Sequence, residues 1–518
     1  MIRLVVPLLL ALLAGCATPI PRQASKVLPV AGTVLDSQVR AAGAAHPGLS
    51  GLRLLETSTD AFTARAELIR KAQRSLDIQY YIVHDGLTTR LLVNELLKAA
   101  DRGVRIRFLI DDTSSDGNDY QIAVLAAHPN VQIRVFNPLH LGRSTGPTRA
   151  LGRLVDLNHQ HRRMHNKLWL ADDSVAIVGG RNLGDEYFDA RPEMNFTDLD
   201  LLAAGPVARQ LGTSFDQYWN SPLSQPARRL RWFAPSTSAL VRLRARLHHY
   251  LDSERTRDLA LYNRLRRYAT APQLDGWLQE LTWAHAQAFW DAPRKVLADD
   301  EPDWQLLLTR QLQPTLDGAQ HELLLVSSYF VPMNQGVAYL GGLAARGVDV
   351  RVLTNALEAT DVPAVHAGYA PYRTALLAQG VKLFELRARP DQKRSALPYS
   401  FGESESESSL HSKAMAIDGR WSFIGSFNFD PRSVLWNTEV GVLVDSPALT
   451  GRLRQLMLQG MDPSVSYAVQ RSEDQGRVHL QWVSERNGEP RVLHHEPGSA
   501  WRRFNAWVVK AVGLERML

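Results

Sequence analysis

HNKLWLAD at residues 165–172 and HSKAMAID at 411–418 are two copies of one pattern, His-x-Lys, four residues, Asp, set 246 positions apart. The match runs on at the same offset: seven residues past each Asp begins GGRN (179–182) in the first copy and GSFN (425–428) in the second. Further on, Thr197 and Asp198 correspond to Thr438 and Glu439, with the offset shortened to 241. One His-x-Lys-x4-Asp arises in a chain of this composition on the order of once in a hundred sequences, and a pair with matched extensions far more rarely. On an extended strand His165 and Lys167 share one face, as do His411 and Lys413, so each pair converges on one anion. Asn182 and Asn428 add amide donors, and Ser426 adds a hydroxyl where the first copy has Gly180. Two such faces brought together put two imidazoles and two ammonium groups around a single phosphoryl group, a site for phosphoryl transfer without a metal. One histidine attacks phosphorus while the other protonates the departing oxygen, which splits the transfer into two displacements through a phosphohistidine.

Around the motifs the chain repeats itself. Alternating apolar residues over 75–82 predict a strand, helical spacing over 91–100 a helix with Gly103 as its stop, and 104–110 a second strand closed by Asp111 and Asp112. The second half repeats this order with a strand over 323–328, a helix over 338–346, Gly347, and a strand over 348–353. Strands over 131–136 and 381–386 occupy corresponding places. Two homologous α/β lobes related by a pseudo-twofold, with the active site at their interface, are the economical reading. The lobes are placed at 49–226 and 318–466. A Trp- and Arg-rich stretch at 227–317, which includes 274–290, is expected to be a mostly helical connector or a lipid-facing surface. The run GESESESS at 402–409 is expected to be a polar loop without chemistry of its own, placed to gate His411. The segment 467–518 is expected to pack back on the second lobe.

The 518 residues carry 45% hydrophobic and 22% charged side chains, enough for more than one core and far from a disordered composition. Of the 59 cations only nine are Lys, and two of those nine fall in the matched motifs. The net charge of +6 suits an anionic lipid or nucleic acid partner. The one cysteine, Cys16, follows Leu13, Ala14 and Gly15 at the end of an apolar run that begins at Leu4 behind Arg3. That run is too short to span a bilayer, so 1–16 reads as a signal peptide ending in a lipobox, with Cys16 as the lipid anchor and 17–48 as a mobile linker. An acylated Cys16 reaches the membrane by lipid alone.

The paired motifs resemble those of the phospholipase D superfamily over about residues 55 to 460, and within it bacterial cardiolipin synthases and related phospholipase D-like lipoproteins. The resemblance implies that His165 is the nucleophile and His411 the general acid, with Lys167, Lys413, Asn182, Asn428 and Ser426 around the phosphate. It also implies that Asp198 and Glu439 orient the imidazoles, and that the motif carboxylates Asp172 and Asp418, although counted with the catalytic set, serve structure more than chemistry. No cofactor or metal is expected, since the lysines argue against a cation at the site.

A phosphatidyltransferase follows as the expected activity: phosphatidylglycerol or phosphatidylethanolamine loads His165, and a hydroxyl of a second phosphatidylglycerol takes the phosphatidyl group to give cardiolipin. Water as acceptor gives phosphatidic acid by the same residues, and the motifs do not separate the two. The expected setting is the bacterial cell envelope, on the periplasmic side of the inner or outer membrane. A nucleic acid partner is not expected, for want of a dense basic and aromatic signature. Since the pseudo-twofold completes the site within one chain, an oligomer is not required.

Overall fold

The computed structural model describes residues 24–28, 32–115, 119–139, 161–230, 235–298, 301–390, 406–474, 477–499 and 501–502. Cys16 with the expected lipobox, residues 402–405 and Trp507 lie outside them. The two lobes share one strand order. In the first, the strands run side by side as Val131–Phe136, Arg105–Asp111, Ser75–Tyr80, Leu168–Ala171, Val175–Gly179, Asp200–Ala204 and Ser50–Leu55. In the second they run as Lys382–Leu386, Asp349–Asn355, Glu322–Ser327, Lys413–Ile417, Trp421–Gly425, Val440–Asp445 and Thr282–Trp290.

The first three strands of each set are parallel and the rest antiparallel. Parallel strands need crossover helices, which here are Leu87–Asp101 and Met333–Ala345. Each crossover ends on a glycine in the left-handed region, Gly103 at φ 97° and Gly347 at φ 92°, a conformation that a Cβ would strain. Covered on both faces, Ser75–Tyr80 is buried at every position, so its alternation marks direction rather than exposure.

The structure departs from expectation in three places. The stretch 274–290 is not one helix: Leu274–Gln279 is a short helix and Thr282–Trp290 is a strand. That strand pairs through residues 282–284 with Ser50–Leu55 and through 285–290 with Val440–Asp445, joining the two sheets edge to edge. It is thereby the second-lobe counterpart of Ser50–Leu55, so the repeat begins well before either motif. Within the expected linker, Val34–Ala42 is a helix capped by Thr33, and the Ser25 carbonyl accepts from Arg107 Nη1 at 3.0 Å. The run at 402–409 is not all loop, because Glu407–Leu410 is a strand pairing in parallel with Met194–Thr197 of the other lobe. Of the segment 467–518, the described part meets the second lobe through Ser466–Asp474, which pairs with Lys382–Leu386, and residues 503–518 lie outside the described residues.

Candidate active site

Both copies of the motif start where a strand leaves the lobe interface. The strands Leu168–Ala171 and Lys413–Ile417 carry His165 and His411 at their entering ends, buried at 6% and 5% exposure. The backbone crosses over here. The His165 N–H donates to the Thr438 carbonyl at 2.9 Å and the His411 N–H to the Thr197 carbonyl at 2.8 Å. The next residue after each threonine is the acid that takes the ring: His165 Nδ1 lies 2.9 Å from Glu439 Oε2, and His411 Nδ1 lies 2.6 Å from Asp198 Oδ2. Each histidine is therefore oriented by the carboxylate of the opposite lobe, and Nε2 is left as the nitrogen to meet phosphorus.

The lysines close the ring of cations. Lys167 Nζ donates to the His165 carbonyl at 2.7 Å, and Lys413 Nζ donates to the His411 carbonyl and, at 2.9 Å, to Ser328 Oγ. Ser328 in turn donates to Asn428 Oδ1 at 3.0 Å. The matching first-lobe position is Tyr81, whose ring packs edge-on to His165 at 5.0 Å and sits 5.5 Å from Lys167 Nζ. On the other side Tyr187 and Phe196 enclose the His411 ring at 5.3 and 4.9 Å. Asn182 is engaged with its own lobe: Oδ1 accepts from the Ile82 N–H at 3.3 Å and Nδ2 donates to the Tyr187 hydroxyl at 2.8 Å. It braces the two aromatic segments that flank the histidines.

Burial dominates the electrostatics. It pushes His165 well below the usual histidine range, with Lys167 and Lys413 adding to the effect. Burial likewise lowers His411, to about 4, helped by Lys413 and opposed by Asp198. The two acids differ. Burial lifts Glu439 to about 7 against Lys167, Ser426 and Ser433, whereas burial of Asp198 is outweighed by His411 and Lys413, which hold it below the usual carboxylate range. Both rings are thus held neutral near pH 7, and a carboxylate accepting from each Nδ1–H keeps the ring proton there and leaves the Nε2 lone pair free. An anionic phosphodiester between the rings raises their proton affinity, and the ring backed by the ionised Asp198 is the better placed to carry that proton, which suits His411 to donate it and His165 to attack.

Lys167 falls to about 7, through burial first and then the repulsion of Lys413. A lysine lowered in this way is ammonium below that pH and neutral above it, while Glu439 gains negative charge over the same range. Both changes weaken the hold on an anion. The kcat/KM for a water-soluble phosphodiester is therefore expected to decline above about pH 7, with a limiting slope of about tenfold per unit or steeper. A profile still rising through about pH 8 contradicts these assignments.

The asymmetry at Gly180 has a steric cause. A Cβ there would lie 2.2 Å from Asp198 Oδ1. In the second lobe Glu439 is one methylene longer, and Ser426 Oγ donates to it at 2.5 Å, with Ser433 donating at 2.8 Å. Gly180→Ser is expected to displace Asp198 and lower turnover about 100-fold. Adding Asp198→Glu, which rebuilds the second-lobe pair, is expected to restore part of it; steady-state kinetics of the single and double variants checks this.

The motif carboxylates are not brought to the site. Asp172 lies at the far end of its strand and accepts from the N–H groups of Gln73, Arg74 and Ser75 at 2.8–3.3 Å, and Asp418 repeats this with Gln320, His321 and Glu322. Both residues are left-handed, at φ 48° and 51°, and each pins the start of the strand beside it. Removing an acceptor shared by three donors is expected to cost about 3 kcal/mol or more, so Asp172→Ala should lower the unfolding midpoint while the folded fraction keeps its turnover.

Sequence reasoning missed Tyr81, Tyr187, Phe196, Ser328 and Ser433. Tyr81 and Ser328 were within reach, since each stands just past the end of a matched strand; Ser433 and the crossed pairing carry no local signal. Among the described residues no group of three or more His, Cys, Asp and Glu side chains is placed to hold a metal.

Two lobes of one topology, exchanging acids across a buried cluster of His and Lys, define a class of phosphodiester-handling proteins built by duplication. Residues 66–219 and 312–460 match the family model described as "Cardiolipin synthase, PLD-like domain", and the chain belongs to that family within the phospholipase D superfamily. It is 37% identical over 505 residues to cardiolipin synthase C of Escherichia coli K12, covering 96% of this chain and 100% of that one. Cardiolipin synthase B of Salmonella typhimurium is 25% identical over 79% of this chain and 80% of its own. Among solved structures, phosphatidylserine synthase of Haemophilus influenzae Rd KW20 shares the fold, with a TM-score of 0.55, 12% identity, and coverage of 93% and 100%.

Proposed function

We propose that this protein is a phosphatidyltransferase that makes cardiolipin from phosphatidylglycerol and a second phospholipid through a phosphatidyl-histidine at His165. The crossed pairing of each histidine with the other lobe's acid carries the reading, because it fixes both Nδ1 atoms at the lobe interface and leaves both Nε2 atoms for one phosphorus. The near full-length likeness to a cardiolipin synthase supports the choice of lipid.

In the first displacement His165 Nε2 attacks the phosphorus of phosphatidylglycerol or phosphatidylethanolamine. The bond to the headgroup oxygen breaks, and that oxygen takes the proton from His411 Nε2. In the second, a glycerol hydroxyl of another phosphatidylglycerol attacks phosphorus, its proton passes to His411, and the bond to His165 breaks. Lys167 and Lys413 hold the non-bridging oxygens, and Ser328 and Asn428 position Lys413. The cations stabilise charge that develops on those oxygens in a site shielded from water.

The membrane is reached through an acylated Cys16, which holds the site on the periplasmic side of the bacterial envelope; among the described residues no helix is long and apolar enough to cross a membrane. Lipid mass spectrometry on purified protein with phosphatidylglycerol and phosphatidylethanolamine vesicles tests the reaction. Cardiolipin from wild type that vanishes in both His165→Asn and His411→Asn is the expected result. Phosphatidic acid in its place would make the enzyme a hydrolase.

A further inference from the structure

The first lobe holds a cavity of about 230 Å³ between its sheet and three helices. Phe108, Ile110 and Ile133 of the parallel strands form its floor. The crossover helix contributes Val93, the helix Asp119–Leu125 contributes Ile122, and Leu243 of the helix Thr237–Arg257 closes it from outside. Its charged groups Asp85, Arg90 and Arg246 stand among the lining with His84, and the buried Thr89 hydroxyl is the polar atom within. Asp85 and Arg90 satisfy one another at 2.5 Å, and His84 Nδ1 lies 2.5 Å from Glu186 Oε1. Arg246 is exposed and has no acidic partner among the described residues. A mostly apolar lining beside an exposed cation fits an apolar chain whose head is an anion. A dry apolar cavity of only about 150 Å³ already takes up benzene, so this one has room for several methylene groups.

The rim also adjoins the reaction centre. Tyr81, whose ring packs on His165, is followed by Ile82, Val83 and His84, and Val83 and His84 are cavity residues. This segment is held beside the site, with the Ile82 N–H on Asn182 and the His84 N–H on the Leu183 carbonyl at 2.8 Å. Three residues span at most about 11 Å. An acyl chain crosses one leaflet of a hydrocarbon core about 30 Å thick, so it extends about 15 Å and bridges that gap.

We infer that this cavity receives one acyl chain of the phospholipid whose phosphorus sits at His165, with Arg246 at its mouth facing the anionic headgroup layer. The inference rests on the phospholipid reading of the active site and adds where the lipid's tail goes. A lipid drawn this way leaves the bilayer tail first, under the helix Thr237–Arg257, and its chain is gripped while the headgroup turns to the histidines.

Photo-crosslinking tests it. Phosphatidylglycerol with a diazirine near the end of one acyl chain is mixed into phosphatidylglycerol vesicles, irradiated with the full-length protein, and the adducts are mapped by tandem mass spectrometry. The expected adducts fall in the peptides that contain Ile122 and Leu243, and persist in His165→Asn, which binds without turnover. Leu243→Trp, which fills the cavity, should cut the labelling at Ile122 and lower the preference for 16-carbon over 6-carbon chains about tenfold or more. Adducts confined to other segments, with cardiolipin still formed, overturn the cavity assignment and leave the proposed reaction standing. Adducts in these peptides with no lipid product from wild type overturn the reaction and leave the cavity.

Discussion

His165→Asn is expected to abolish transfer from every phosphodiester, whatever its leaving group, with a loss on the order of 10⁴-fold or more in kcat. Among the described residues no second nucleophile is aimed as His165 is. The His165 backbone is fixed by Thr438 and its ring by Glu439, so Nε2 is aimed before substrate arrives. An asparagine amide fills part of that volume but offers no nucleophile, and Lys167, although lowered to about 7, is turned to the His165 carbonyl. Turnover of an activated aryl phosphodiester, measured with far-UV circular dichroism to verify the fold, checks the result. Residual activity within about tenfold of wild type contradicts the assignment.

His411→Asn is expected to behave differently. With a natural glycerol or ethanolamine leaving group the first displacement needs the His411 proton, so turnover should fall about 10³-fold or more. With an aryl leaving group, which departs without a proton, the first displacement should survive. The second displacement still needs His411 to take the acceptor's proton, and the variant should therefore release about one equivalent of aryl alcohol per site and stop. Stopped-flow absorbance reads the burst directly. Equal loss with both leaving groups contradicts the assignment of His411 as the proton donor of the first displacement.

The motifs, their common offset and the α/β repeat were legible because duplication prints the same local pattern twice. His165, Lys167, His411 and Lys413 could be placed on shared faces by the two-residue period of a strand alone. The partner of each imidazole was not legible. Asp198 and Glu439 were recognisable as acids beside the site, but which ring each holds depends on the lobes crossing at Thr197 and Thr438, a contact between residues more than 200 apart.

Asp172 and Asp418 belong to the motif by spacing and to the scaffold by position, since a left-handed turn at the end of a strand points them at the neighbouring strand's first amides. The strand Thr282–Trp290 falls in a stretch, 274–290, whose Trp and Leu residues fit helical spacing. Pairing with the free edges of two sheets outweighs that local preference. Gly180 looked like a lost hydroxyl; in space it is the room that a short acid needs.

The most direct test is to trap the intermediate: His411→Asn is mixed with an aryl phosphatidyl ester, quenched at neutral pH, and the intact protein and its peptides are weighed. A phosphatidyl adduct on the peptide that contains His165, absent from the doubly substituted His165→Asn, His411→Asn protein, is the result this mechanism requires. An adduct on another residue, or a burst of aryl alcohol with no adduct at all, would contradict it.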